Sequence, residues 1–159
     1  MGLEFKALEV GYDIIKFKFP TEFQMRWVLE NGPWSFENNF LLLRKWELGC
    51  NNRNMSFTMA TFWIQIWGLP FEFVSKQTRV DIGNSIGSFV MSDKKVSSEQ
   101  TKYLRVRVDI LVDKPLCWGG FVSSLEGEKV WVDYRYERLP NYCYRYGRLG
   151  YEEKGCNKP

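Results

Sequence analysis

The sequence predicts an α+β fold, a split βαβ sheet with two helices on one face, and three observations predict it. Apolar residues alternate with charged ones at a period of two; two stretches carry apolar residues at helical spacing between polar caps; and these stretches follow one another in the order strand, helix, strand, strand, helix, strand.

In YDIIKFKFP (12–20), Ile15, Phe17 and Phe19 fall on one side and Lys16 and Lys18 on the other, the pattern of a strand with one buried face, closed by Pro20. TEFQMRWVLENG opens on Thr21 as an N-cap and ends on Gly32 as a C-cap, with Phe23, Trp27 and Val28 or Leu29 at helical spacing. After Pro33, FENNFLLLRKWE reads as a hairpin turning at Asn38-Asn39, with Phe40 to Trp46 as its second strand. CNNRNMS is a loop, and FTMATFWIQIWGLP is a second aromatic and β-branched strand ended by Gly-Leu-Pro. SKQTRVDIGNSIG predicts a second helix, Val74 to Ile86, which turns Val80, Ile82 or Gly83, and Ile86 inward. SFVMSD follows as a strand and KKVSSEQT as a polar loop.

This order is that of a ferredoxin-like fold and of RNA-recognition motifs. YLRVRVDILV and KVWVDYRYE add two strands, separated by a Pro-Gly-rich connection, which extend the sheet or form a hairpin against it. Residues 1–138 are read as one α/β domain and 139–159 as a short module of tyrosine, arginine and glycine. Phe17, Trp27, Ile64, Ile66 and Val106 are expected in one core, with Arg105 and Arg107 exposed on a sheet face.

A chain of 159 residues, 45% hydrophobic and 17% aromatic, buries enough surface to fold rather than remain disordered. Its net charge of +3, from 22 basic and 19 acidic residues, excludes a strong global field, so an anionic partner is met by a local patch. The chain has no histidine, which removes the commonest general base and the usual partner of a Ser or Cys nucleophile. Asp81, Asp93, Asp109 and Asp113 stand at no spacing that marks a catalytic pair, and Gly68-Leu69-Pro70 and Gly87-Ser88-Phe89 are turn signals, not phosphate loops. A non-enzymatic protein follows. The absence of a signal-peptide run or membrane span implies an intracellular setting, nuclear or cytoplasmic, in which Cys50, Cys117, Cys143 and Cys156 are reduced.

Within YLRVRVDIL, Leu104, Val106, Val108 and Ile110 share one face, and Tyr103, Arg105, Arg107 and Asp109 the other. A tyrosine and two arginines in register can stack a base and meet phosphates, and Lys16 and Lys18 can do likewise on the first strand. Further on, Arg135, Arg138, Arg145, Arg148, Lys154 and Lys158 alternate with tyrosines from Tyr134 to Tyr151, among them Tyr144.

CYRYGRLGYEEKGC places Cys143, Tyr146, Tyr151 and Cys156 at the spacing x2, x4, x4, with Gly147 and Gly150 at the turns. RLPNYCYRYGRLGYEEKGC resembles a zinc knuckle of the C-x2-C-x4-H-x4-C type, as found in plant retrotransposon-derived (LINE-type) proteins. ENGPWSFENNFLLLRKW and FWIQIWGLPFEFVSK look like the domain of unknown function that precedes that knuckle, and VRVDILVDKPL with VWVDYRYERLP is similar to the segment between them.

The resemblance implies a non-enzymatic domain that binds single-stranded nucleic acid, RNA ahead of DNA, with no membrane partner. The residues whose pattern fits such binding are Tyr103, Arg105, Arg107, Lys16, Lys18, Tyr144, Arg145, Arg148 and Lys154. Cys143 and Cys156 are the remnant metal ligands; with Tyr146 and Tyr151 at the other two ligand positions, the knuckle is degenerate and no zinc cofactor is expected. The alternative is a protein-interaction or self-assembly domain that binds no nucleic acid.

Overall fold

A computed structural model describes residues 4–11, 14–36, 39–51, 57–93, 102–139, 142–143 and 148–149. The chain divides into two compact units, Met1–Gly32 with Leu42–Phe57, and Pro33–Leu41 with Thr58–Pro159, where the sequence pattern groups residues 1–138 in one body.

In the first unit, β1 (Lys6–Gly11) pairs antiparallel with β2 (Ile14–Lys18). Helix α1 (Glu22–Asn31) follows, and its N-cap is the expected one: Thr21 Oγ1 accepts from the Gln24 amide at 3.3 Å. The helix buries none of its residues, leaving Phe23 67% and Trp27 41% exposed. Ile15 is also exposed, and Phe17 is half-buried. The expected core placement of Trp27 and Phe17, and the inward face of Ile15, are therefore corrected. Two strands and one short helix enclose too little volume to bury aromatics completely. Cohesion comes from surface pairs instead: Phe5 against Phe17 at 5.7 Å, Phe5 against Phe19 at 6.1 Å, and the Lys16 ammonium 3.9 Å from the centroid of a Trp46 ring.

The second unit begins with a small hairpin, β3 (Trp34–Phe36) and β4 (Asn39–Leu41), in which Phe36 pairs with Asn39. Asn39, expected in the turn, already lies in β4 opposite Phe36, and that strand ends at Leu41 rather than Trp46.

The main sheet contains β5 (Met59–Trp67), β6 (Ser88–Ser92), β7 (Tyr103–Leu111), β8 (Gly119–Ser123) and β9 (Lys129–Tyr136), in the order β6-β7-β5-β9-β8 with antiparallel neighbours throughout. Helix α2 (Lys76–Ile86) connects β5 to β6, and β7 lies between those two strands, so the crossover is split. Ser75 caps the helix by accepting from the Thr78 amide at 3.0 Å, which starts it at Lys76 rather than Val74. The route from β7 to β9 passes through β8, a strand, not a helix. The two late strands, β7 and β9, are the direct neighbours of β5.

The six-element arrangement expected of a single sheet is corrected accordingly. α1 and the strand at 14–18 belong to the first unit, β3–β4 is a hairpin of its own, and α2 alone belongs to the unit holding the five-stranded sheet.

The core lies on one face of that sheet. Ala60, Phe62, Ile64 and Ile66 from β5, Val106, Val108 and Ile110 from β7, and Val132 and Tyr134 from β9 are buried, as is Ile82 of α2. Ile64, Ile66 and Val106 are where the sequence places them. Gly83 lets α2 approach β6, since a Cβ there would stand 2.7 Å from Phe89 Cδ2. A last pair of short strands, β10 (Tyr142–Cys143) and β11 (Arg148–Leu149), is antiparallel. Among the described residues no helix is long and apolar enough to cross a membrane.

Candidate nucleic-acid interface

Alternation along β5, β7 and β9 sends every second side chain to the face opposite α2. The ladders bring Trp67 opposite Tyr103, Gln65 opposite Arg105, Trp63 opposite Arg107 and Thr61 opposite Asp109; on the other side of β5, Asp133 pairs with Trp67 and Arg135 with Gln65. The residues that the sequence singles out on β7 thus sit on one face as expected, but they differ in how far solvent reaches them.

Arg107 is 2% exposed, which corrects its expected place at the surface. It stands between Trp63 on β5 and Met91 on β6, with its guanidinium carbon 5.5 Å from a Trp63 ring centroid. Flanked on both sides, the side chain is withdrawn from solvent along its whole length, guanidinium included. Arg105 is partly exposed and paired: its Nε donates to Glu137 Oε2 at 2.8 Å, and one terminal nitrogen donates to Asp93 Oδ2 at 3.3 Å. The guanidinium carbon also lies 4.2 Å from a Trp63 ring centroid.

Tyr103 is half-buried, its ring 4.9 Å from Trp67. Trp67 is held in turn by a relay in which its Nε1 donates to Gln65 Oε1 at 3.0 Å and Gln65 Nε2 donates to Glu137 Oε1 at 3.1 Å. Arg135 is exposed on β9, 4.1 Å from a Trp67 ring centroid, where a cation over an indole face is favourable. Further along β9 the same face carries Lys129 and Trp131, and β8 sets Phe121 opposite Trp131.

The remaining predicted residues lie elsewhere. Lys16 and Lys18 belong to β2 in the first unit, Lys16 half-buried and Lys18 exposed. The backbones of Cys143 and Arg148 pair between β10 and β11. Tyr144, Arg145, Tyr146, Tyr151, Lys154 and Cys156 lie outside the described residues, as does the loop at 94–101. Among the described residues no group of three or more His, Cys, Asp or Glu could hold a metal ion.

Trp63, Trp67, Phe121 and Trp131 join the face although the sequence pattern does not single them out, and Arg135 belongs to β9. The signal was present for β9: in KVWVDYRY the odd positions Trp131, Asp133 and Arg135 are in phase against Val132 and Tyr134.

Residues 2–52 match the family described as Domain of unknown function (DUF4283), and residues 112–158 match the family described as Zinc knuckle, a segment that includes β8 and β9. An uncharacterized protein of Arabidopsis thaliana, At4g02000, is 27% identical over 133 residues, covering 81% of this chain and 41% of that protein. The chain therefore spans about two fifths of the length of that relative. No solved structure matches the chain significantly. In sequence, then, the chain is similar to a domain of unknown function followed by a zinc knuckle, with a relative in a plant.

Proposed function

We propose that this chain is a non-enzymatic module, of plant retroelement descent, that binds single-stranded nucleic acid, RNA ahead of DNA, on the sheet face opposite α2. The observation that carries this reading is the group formed by Arg135, Trp67 and Tyr103, in which an exposed guanidinium sits on an indole that abuts a phenol ring. Cations meet phosphates without regard to sequence, and aromatic faces stack unpaired bases. The zinc-knuckle match supports the same partner class.

The donor set does not fit a zinc centre. A structural zinc takes four nitrogen or sulfur donors, whereas Cys143 and Cys156 supply two thiolates and the chain contains no histidine. Tyr146 and Tyr151 occupy the other two places in the spacing, and a phenol is protonated at neutral pH. Binding is therefore assigned to the sheet and to the basic tail residues, not to a metal-organised loop.

Photocrosslinking of an iodouridine-labelled oligonucleotide, followed by mass spectrometry, tests the face. Crosslinks on the peptides carrying Trp67, Tyr103 and Trp131 are expected; crosslinks confined to the first unit would place the site elsewhere.

Self-association is a second reading, favoured by the first unit, where Phe5, Leu8, Ile15 and Phe23 are all exposed. Apolar exposure of this kind marks interaction surfaces. Sedimentation over a range of protein concentrations distinguishes a dimer from a monomer.

A further inference from the structure

The strand that the sequence did not reveal, β8, adds a second aromatic group to the candidate face. Phe121 and Trp131 oppose each other across the β8–β9 ladder, and their rings meet nearly edge-on, 5.0 Å apart with an interplanar angle of 77°. Both remain open to solvent, Phe121 at 69% and Trp131 at 51%.

The indole is nevertheless held on three sides. Phe121 abuts the ring, Nε1 donates to Asp133 Oδ1 at 3.0 Å, and the ring rests on Gly119, where a Cβ would stand 2.5 Å from Cζ2. An exposed side chain normally loses rotamer freedom when a ligand orders it; here that ordering precedes binding.

The register continues the row. Asp133, two residues beyond Trp131 on β9, pairs with Trp67, and Trp67 pairs with Tyr103. Phe121, Trp131, Trp67 and Tyr103 therefore follow one another across β8, β9, β5 and β7 on one face, with diagonal cross-strand neighbours about 7–8 Å apart. Lys129 and Arg135, exposed on the same face of β9, stand on either side of the Trp131–Asp133 pair, and their positive charge complements a phosphate chain. A duplex turns its base faces against each other, so an aromatic row of this kind suits unpaired bases.

We infer that Phe121 and Trp131 form a preorganised stacking site for unpaired bases, with Gly119 and Asp133 as its positioning residues. This rests on the nucleic-acid reading of the same face and extends it to the edge strand.

Binding of a fluorescein-labelled oligouridine and of a duplex of equal length, measured by anisotropy on the full chain, tests the inference. Trp131→Leu and Phe121→Ala are each expected to weaken oligouridine binding roughly 5- to 150-fold. Duplex affinity should stay within about twofold, because charge contacts alone account for it. Trp131→Phe retains a stacking ring and should recover most of the lost affinity. Because both side chains are exposed, circular dichroism should show the native sheet in all three variants. Wild-type oligouridine affinity in Trp131→Leu and Phe121→Ala, or equal losses for duplex and single strand, would overturn the stacking site and leave the broader reading standing. If the wild-type chain binds no oligouridine even at low salt, both fall together.

Discussion

Arg105 on β7 reaches past β5 to Glu137, the residue after β9, and the two join through a 2.8 Å hydrogen bond from Nε to Oε2. With Asp93 at 3.3 Å on its other side, Arg105 is a cation whose charge is already compensated within the sheet. A compensated cation releases few counterions on binding a phosphate.

Glu137→Gln should free that charge while its side-chain oxygen still accepts from Gln65. Single-strand binding should strengthen, and the plot of log affinity against log salt should steepen by up to about 0.7. Unchanged affinity and slope would mean that Arg105 does not face the ligand.

Arg107 behaves differently because it is buried. Arg107→Ala should lower the urea midpoint, with a loss of roughly 1–3 kcal/mol typical of removing a packed side chain. Affinity per folded molecule should change little. A stable variant with weakened oligonucleotide binding would restore Arg107 to the interface.

The contrast between these two arginines shows what was legible in the sequence. Alternation in YLRVRVDIL correctly separates Leu104, Val106, Val108 and Ile110 from Tyr103, Arg105 and Arg107. It cannot show that Trp63 and Met91 flank Arg107, because those neighbours come from strands distant in sequence. Caps are local, and Thr21 caps its helix as its residue type dictates, whereas Ser75, inside the expected helix from Val74, is the cap in the structure. The strand at 119–123 is hidden by Gly119-Gly120, which belongs to a Pro-Gly-rich connection in the sequence pattern, although each glycine makes room for an aromatic: Gly119 for Trp131 and Gly120 for Tyr134. With β8 unseen, Phe121 had no visible partner. The division into two units was equally invisible, since periodicity says which face is apolar, not which element it meets.

Tyr134 links stability to alkaline pH. Burial pushes its phenol above the ordinary range, against a side-chain hydrogen bond with Ser85 that lowers it, with a smaller upward push from Cys117. The folded state therefore holds the proton more tightly than the unfolded state. The contribution is fully present below the unfolded value of about 10 and is lost as pH rises through the folded value. Thermal melts should fall more steeply above about pH 10 in the wild type than in Tyr134→Phe. Parallel pH profiles in the two proteins would contradict this.

Elemental analysis should find well under one zinc per chain, because two thiolates supply half of a tetrahedral shell. Tyr146→Cys combined with Tyr151→His should bring the content to about one, as the full four-donor set then exists. Stoichiometric zinc in the wild type, retained through dialysis against a weak chelator, would show that tyrosine or a nearby carboxylate completes the site.

The most direct measurement of the central claim is a salt titration of oligouridine binding by the wild-type chain and by Arg135→Ala. The nucleic-acid reading predicts a linear fall of log affinity with log salt in the wild type, and a slope shallower by about 0.7 in the variant, one phosphate contact having been lost. Salt-independent binding, or identical slopes in the two proteins, would contradict the assignment of this face to nucleic acid.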